Sequence, residues 1–383
     1  MTAYKRLGDY IREVNVRNRE LKVTNLLGVS ISKEFMPSIA NIIGTDLSAY
    51  KVVERGQFAY GPVTSRNGDK VSIALLDGYD DAIISQAYTV FEVIDSEVLL
   101  PEYLMMWFRR PEFDRYARFH SHGSAREVFD WDELCDVQLP IPSITRQREI
   151  VSEYETLSNR IRINEQMIQH LESTAQALYH KIFVDNINKE NLPEGWRMGM
   201  VSDFGKVVTG KTPSSENPED FGDVMPFVTP GDFAKYSKFA FGAERWLSKT
   251  GINRLKGKVL PEGSVIVTCI GSDMGKVAIA LCKCITNQQM NTIVVEEHEY
   301  SDYLFYALSS MSKELKAMAL GSSTMPLLNK SDFEKIKVVI PPVDLLQDFC
   351  NLNNAGNKLL IQKMQENSKL TELQSLLLAK MGQ

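Results

Sequence analysis

The chain has 383 residues, 44% hydrophobic and 24% charged, with a formal net charge of −6; this suits a folded chain with room for two domain cores and excludes a disordered or low-complexity one. No stretch is long and apolar enough to span a bilayer, and residues 1–14 lack the apolar region of a signal peptide, so no membrane partner is expected and the cytoplasm is the default location. The five cysteines, Cys135, Cys269, Cys282, Cys284 and Cys350, are odd in number and lack metal-ligand spacing, which favours free or buried thiols over disulfides or a metal site.

From Arg6 to Val14 the spacing is that of a short amphipathic helix, and the region to Ser48 is irregular. Strand-like runs follow at Tyr50–Val53, Gln57–Tyr60, Val71–Leu76 and Ile83–Val93, punctuated by Arg55-Gly56, Asn67-Gly68 and Asp77-Gly78. Pro101 to Phe119 is helical in pattern, with Leu104, Trp107, Phe108, Phe113 and Tyr116 on an apolar stripe. His120 to Arg126 is then a polar, basic loop. Its two histidines, His120 and His122, suit phosphate or base contacts, or simple solvation, better than metal ligation.

The stretch from Leu139 to Phe183 organises the chain. Ile150, Tyr154, Leu157, Ile161, Ile168, Leu171, Ala175, Leu178 and Ile182 recur alternately four and three apart, with Asn164 as the one polar residue in register. About forty residues at ~1.5 Å each give a helix roughly 60 Å long, the length of a spacer. Asn186 to Gly195 is a polar connector. The second half opens with Trp196 and Val201–Val208, then the Gly210-Lys211-Thr212-Pro213 turn. Strands are expected at Val224–Val228, Ser264–Ile270, Val277–Cys282 and Thr292–Val295, and a helix over Tyr303–Leu320. Val338 to Pro342 leads into a second long Leu-rich helix, started by the capping-box-like pair Asp344 and Gln347. Its expected seam runs through Leu352, Leu359, Leu373 and Leu377, with Gly356 and Lys363 intruding. Gly123-Ser124 before the first helix matches Gly321-Ser322 before the second, about two hundred residues on.

The chain therefore reads as a tandem α+β repeat: a globular unit over 1–141, helix and connector over 142–190, a globular unit over 191–341 and a helix over 342–383.

Two motifs suggest an enzyme, and neither has the setting that its chemistry requires. Gly205, Gly210, Lys211 and Thr212 fit a phosphate-binding pattern, which works only between a buried strand and a helix; Pro213, Pro218 and Gly222 oppose that helix. Glu314-Leu315-Lys316 resembles part of a metal nuclease signature but lies on a helical pattern. In contrast, Lys235, Lys238, Arg245, Lys249, Arg254, Lys256 and Lys258 face only Glu244 as a local opposing charge, with Tyr236, Phe239, Phe241 and Trp246 interleaved. That is the composition of a DNA-facing surface, or of a solvated basic face over an aromatic core.

Several segments together resemble the specificity subunit of type I restriction-modification systems. These are Leu192-Pro193-Glu194-Gly195-Trp196, Thr209–Pro213 continuing to Pro226–Asp232, Leu260-Pro261-Glu262-Gly263-Ser264, Gly275–Ile279 and Thr286-Asn287-Gln288. Arg55–Tyr60, Ser85-Gln86-Ala87-Tyr88 and Pro142–Ile150 form a weaker echo in the first half. The resemblance implies two target recognition domains, each reading half of a split double-stranded DNA sequence, and two long helices that pack as an antiparallel coiled coil with pseudo-twofold symmetry and act as a ruler. It also implies docking of two methyltransferase subunits and association with restriction subunits. No catalytic residue or metal ligand is expected in this chain, and S-adenosylmethionine, Mg and ATP belong to the partners. The first domain lacks the Gly-Lys-Thr-Pro turn, so an asymmetric target is expected. Because Arg, Lys, Asn and Gln make the bidentate base contacts, the candidate DNA residues are Arg66, Asn67, Lys70, Arg115, His120, His122 and Arg126 in the first domain. In the second they are Lys211, Ser214, Lys235, Tyr236, Lys238, Arg245, Lys249 and Lys256. The competing readings are a nucleotide-binding enzyme built on the Gly205–Thr212 loop, and a coiled-coil interaction protein or methyltransferase decoy.

Overall fold

The computed structural model describes residues 4–38, 44–65, 67–68, 70–123, 126–271, 273–319 and 327–382. The candidate Arg66, and Ser124 and Gly321-Ser322 of the repeat signature, lie outside them. The chain divides into two compact units, Met1–Arg162 with Asn367–Gln383, and Ile163–Glu366. Each long helix thus contributes to both units.

Unit 1 starts with β1 (Tyr4–Arg6), a single 3-10 turn and β2 (Ile11–Val14). The helix expected over Arg6–Val14 is absent there. Leu7 and Ile11 are both buried four residues apart, which imitates a helical stripe. However, the Leu7 amide donates to Val137 O, and β2 pairs along its length with a later strand. A hairpin of β3 (Leu27–Val29) and β4 (Phe35–Pro37) sits in the region read as irregular. Then come β5 (Lys51–Glu54), β6 (Phe58–Gly61), β7 (Ser72–Leu75), β8 (Asp81–Ile84) and β9 (Thr89–Val93). The run from Ile83 to Val93 is therefore two strands joined by a turn closed from Tyr88 N to Ser85 O. β2, β9, β6 and β7 form one antiparallel sheet in that order, and β5 pairs with β8.

Phe58 stacks on Phe91 at 4.8 Å between ring centroids, with Phe108 edge-on to both, an arrangement that centres the unit's core. The helical stretch is split into α1 (Pro101–Phe108) and α2 (Pro111–Phe119), because Pro111 has no amide to donate and forces the preceding residue out of helical geometry. α3 (Trp131–Cys135) is capped by Asp130, and β10 (Gln138–Pro140) pairs with β1 before α4 (Ile144–Phe183) begins.

Unit 2 repeats this order with insertions. β11 (Arg197–Met200) is followed by β12 (Gly205–Thr209), β13 (Phe221–Val228), β14 (Phe239–Ala240), β15 (Arg245–Leu247) and α5 (Lys249–Arg254). Next are β16 (Val265–Thr268), β17 (Val277–Ala280), β18 (Ile285–Thr286) and β19 (Met290–Val295). The helices α6 (Glu299–Ser310), α7 (Ser312–Ala319) and α8 (Lys330–Glu334) precede β20 (Lys337–Ile340) and α9 (Val343–Lys380). The main sheet runs β12-β19-β16-β17-β14, the order of the first sheet with one strand added, and β11 pairs with β20 as β1 does with β10. Asn329 caps α8 as Asp130 caps α3.

The helices run antiparallel within each unit. In unit 1, Gln374 donates to Ser158 Oγ at 2.7 Å and Asn367 to Ile161 O at 3.5 Å, so numbers rise on α4 as they fall on α9. In unit 2, Gly356 lies against Leu171, and the ring of Phe349 is 6.3 Å from that of Tyr179. The α4 seam holds Tyr154 and Asn164 buried, with Ile150, Leu157, Ile161, Ile168, Leu171 and Leu178 half-buried. The α9 seam differs from expectation. Leu346, Phe349, Asn353, Leu360, Lys363 and Leu378 are its buried positions, Leu359 and Leu377 are half-buried, and Leu352 and Leu373 are 64% and 48% exposed. The buried register falls one residue beside that leucine stripe, because Asn353 and Lys363 are inside.

Among the described residues no helix is long and apolar enough to cross a membrane. Cys135, Cys269 and Cys284 are buried free thiols, and burial pushes Cys269 up to about 11 and Cys284 up to about 12, which leaves them unreactive.

Candidate nucleic-acid interface

In unit 2 the turn after β12 is built against the loop between β18 and β19. A Cβ on Gly210 would meet Asn287 O at 2.1 Å and Thr286 O at 2.3 Å, so only glycine allows the two backbones this close. Lys211 N donates to Thr286 O at 2.9 Å, and the Thr212 hydroxyl donates to the side-chain amide oxygen of Gln288, Oε1. Asn287 holds the loop, accepting from Gln289 N at 3.0 Å and donating to Gln289 Oε1 at 3.1 Å. The outcome is a rigid edge from which the exposed side chains of Lys211, Ser214 and Gln288 project. Gln288 is absent from the candidates drawn from the sequence, although its segment was visible there as Thr286-Asn287-Gln288.

The basic segment 235–258 separates into two populations. Lys235, Lys249 and Lys256 are exposed, and like Lys211 they have no ion-pair partner among the described residues. Arg245 is exposed with its guanidinium 3.8 Å from the centroid of the Phe221 ring, so an aromatic platform fixes its plane. Tyr236 is half-buried and its hydroxyl donates to Gly242 O, which makes it a loop brace with its hydroxyl already engaged. Arg254 is tied to Glu219 and Asp220, and Lys258 donates to Thr209 O at 2.8 Å.

Lys238 does not belong to the surface. It is 1% exposed, with Nζ 2.8 Å from Asp302 Oδ1 and donating to Asn357 Oδ1 at 2.9 Å. Its amide donates to Glu172 Oε1 at 2.8 Å, and Asn357 in turn donates to Asp302 Oδ2 at 2.8 Å. Tyr306, Phe239 and Phe305 enclose the ammonium, and burial pulls its pKa down while Asp302 opposes the shift. Lys238 therefore joins its domain to both long helices and does not reach DNA.

In unit 1 the candidates come from two loops lying side by side. Val63 and His122 both bridge to Val128, and Thr64 N donates to Glu127 O at 3.0 Å, which brings the β6–β7 loop against the loop after α2. Asn67 donates to Ser72 Oγ at 3.2 Å and Val63 O at 3.3 Å, so its amide braces the hairpin. Lys70 and Arg126 are exposed. His120 and His122 converge on Glu133, with Nδ1 2.8 Å from Oε2 and Nε2 3.3 Å from Oε1, while His120 stacks on Tyr116 at 4.2 Å. Arg115 pairs with Glu112 at 3.0 Å. The loops thus present cationic and amide groups held in place by carboxylates and rings, the setting in which donors reach phosphates and base edges.

The geometry also decides the enzyme-like motifs. Gly205–Thr209 is strand, and the segment from Gly210 to Asn217 is turn and loop, so no helix N-terminus follows Thr212 to receive a phosphate. Glu314 and Lys316 lie on α7 around Leu315, which is fully buried.

A family model described as the type I restriction modification DNA specificity domain matches residues 193–369. The chain is 24% identical to the type I restriction enzyme HindI specificity subunit of Haemophilus influenzae, over 98% of this chain and 97% of that relative. It is 28% identical to the type I restriction enzyme MjaIX specificity subunit of Methanocaldococcus jannaschii, over 48% of this chain and 42% of that one. Among solved structures it resembles the S subunit of a type I restriction-modification system from M. genitalium, with a TM-score of 0.61 at 13% identity, over 100% of this chain and 96% of that chain. That likeness is one of fold.

Proposed function

The chain belongs to the type I restriction-modification DNA specificity family, and on that premise we propose how it specifies its target. Each unit reads one half of a split DNA sequence. The paired helices set the gap between the halves and hold two methyltransferase subunits, which supply S-adenosylmethionine and extrude the target adenine. The chain itself contributes recognition and spacing but no chemistry; Mg and ATP serve the methyltransferase and restriction partners.

One observation carries this reading. The sheet order β2-β9-β6-β7 recurs as β12-β19-β16-β17, each followed by a helix of 40 or 38 residues. A duplicated reader with a duplicated spacer suits a duplicated half-site. The two readers are chemically unequal: unit 2 has the Gly210–Pro213 turn braced on Gln288, and unit 1 has the histidine loop braced on Glu133. Unequal readers select unequal half-sites.

Selection of duplexes from a randomised library by the chain assembled with its methyltransferase tests this. The expected product is two different short sequences separated by a fixed unread gap. A contiguous motif, or two identical halves, would contradict it.

A further inference from the structure

The loop between β18 and β19 in unit 2 has a counterpart in unit 1, and the backbone fixes the correspondence residue by residue. Gly56 and Gly263, just before β6 and β16, are both left-handed, at φ of 86° and 83°. Gly56 N donates to Leu76 O and Leu76 N to Gln57 O, as Gly263 N donates to Ala280 O and Ala280 N to Ser264 O. Phe58 therefore corresponds to Val265, and their antiparallel partners Phe91 and Ile293 correspond as well. On the other side of the loop, Val53 and Leu260, the third residues before these glycines, pair with Ala82 and Cys284. Residues 82–91 thus match residues 284–293 without insertion.

The turn within each stretch is the same. Tyr88 N donates to Ser85 O at 3.0 Å and Met290 N to Asn287 O at 3.4 Å, while the side chains of Ser85 and Asn287 accept from Ala87 N and Gln289 N. Only two residues recur across the matched stretches, Ile83 with Ile285 and Gln86 with Gln288. Both isoleucines are 0% exposed, and core packing accounts for them. Both glutamines are exposed, and burial does not account for them.

Two unlike readers that share one exposed side chain share it for what their half-sites have in common. On the proposed function, from which this inference proceeds, that is one adenine-thymine pair, broken when the adenine is extruded. We infer that Gln86 and Gln288 each bind the thymine left unpaired, with Nε2 donating to its O4 and Oε1 accepting from its N3–H. An amide sets a donor beside an acceptor, the pattern that the amino group and N1 of adenine present to thymine, so it stands in for the lost partner. A phosphate contact would use donors alone, and lysine or arginine serves it better. In unit 2 the Thr212 hydroxyl takes one lone pair of Gln288 Oε1, which fixes the end of the amide that donates and leaves the second lone pair for the base. Extrusion costs the pairing of the target base. By restoring that pairing on the thymine side, the glutamines set the rate of methylation and leave the sequence read elsewhere in each half unchanged.

The test follows methylation of each half-site by the full chain assembled with its methyltransferase, on duplexes with thymine or an abasic site opposite the target adenine. Gln288→Leu keeps the bulk and removes both hydrogen bonds, and Gln288→Glu keeps the acceptor but removes the donor; Gln86→Leu and Gln86→Glu do the same in unit 1. With thymine opposite, each variant is expected to methylate its own half-site roughly tenfold more slowly, the loss of one bidentate base contact. On abasic duplexes its rate is expected to equal that of the unaltered chain, because no thymine is left to hold. With 2-aminopurine as the target base, the fluorescence rise on extrusion should shrink in the variants only when thymine lies opposite. An equal loss on abasic duplexes would make the glutamines supports of their turns and overturn the inference, as would unchanged rates with thymine opposite, or methylation of a different sequence. An unaltered complex that methylates no split target would overturn the functional reading itself.

Discussion

Lys238 separates what a basic segment says from what it does. Residues 235–258 carry the composition of a DNA surface, and Lys235, Lys249 and Lys256 are exposed as that composition implies. Lys238 has the same neighbours in sequence but is buried, because its partners Asp302 and Asn357 come from α6 and α9. No local pattern could reveal a pairing across 119 residues. Removing one partner of a buried ion pair typically costs about 3–5 kcal/mol, because the other charge is left unpaired, whereas replacing both by apolar residues is often neutral. Lys238→Met should therefore lower the melting temperature markedly, and Lys238→Met with Asp302→Leu should recover most of the loss. Lys249→Ala should leave melting unchanged and reduce the salt dependence of DNA binding by a slope of about 1. Scanning calorimetry and binding at several salt concentrations separate these outcomes, and an unaltered melting temperature for Lys238→Met would rule out the structural role.

At the scale of elements, legibility followed how apolar each buried face is. The α4 seam was readable because its buried and half-buried positions are mostly aliphatic. The α9 seam was displaced because Asn353 and Lys363 are inside it, while Leu352, Leu373 and Leu376 point outward. Strands flanked by Gly and Asn turns stood out in the sequence, but the start of the chain did not, since Leu7 and Ile11 share a helical spacing while serving a turn and a strand. The helix pair yields a prediction of its own. An added heptad lengthens a helix by roughly 10 Å, about three base pairs of DNA rise. Inserting one heptad at matched positions in α4 and α9 should widen the unread gap by about that amount and leave both half-site sequences unchanged. A shift in half-site sequence on methylation mapping, with the gap constant, would count against the helices as the ruler.

Over the whole molecule, the tandem organisation was legible from the repeated helix and its flanking prolines. The matched sheet orders were not, because single strands of four to six residues carry no record of their neighbours. The readers themselves were only partly legible. Sequence pointed to the loops of Lys70, His120, His122 and Arg126 and to the turn of Lys211, but the braces that aim these side chains, Glu133 and Gln288, depend on tertiary proximity.

On the proposed function, this chain selects a split, asymmetric sequence for methylation by its partners. The most direct test maps adenine methylation in DNA from cells expressing the chain with its cognate methyltransferase, against cells lacking the chain. The expected result is one motif of two unlike halves, separated by a fixed gap, with a methylated adenine in each half and no trace of it without the chain. Methylation that persists without the chain, or an assembled complex that methylates nothing in its presence, would contradict it.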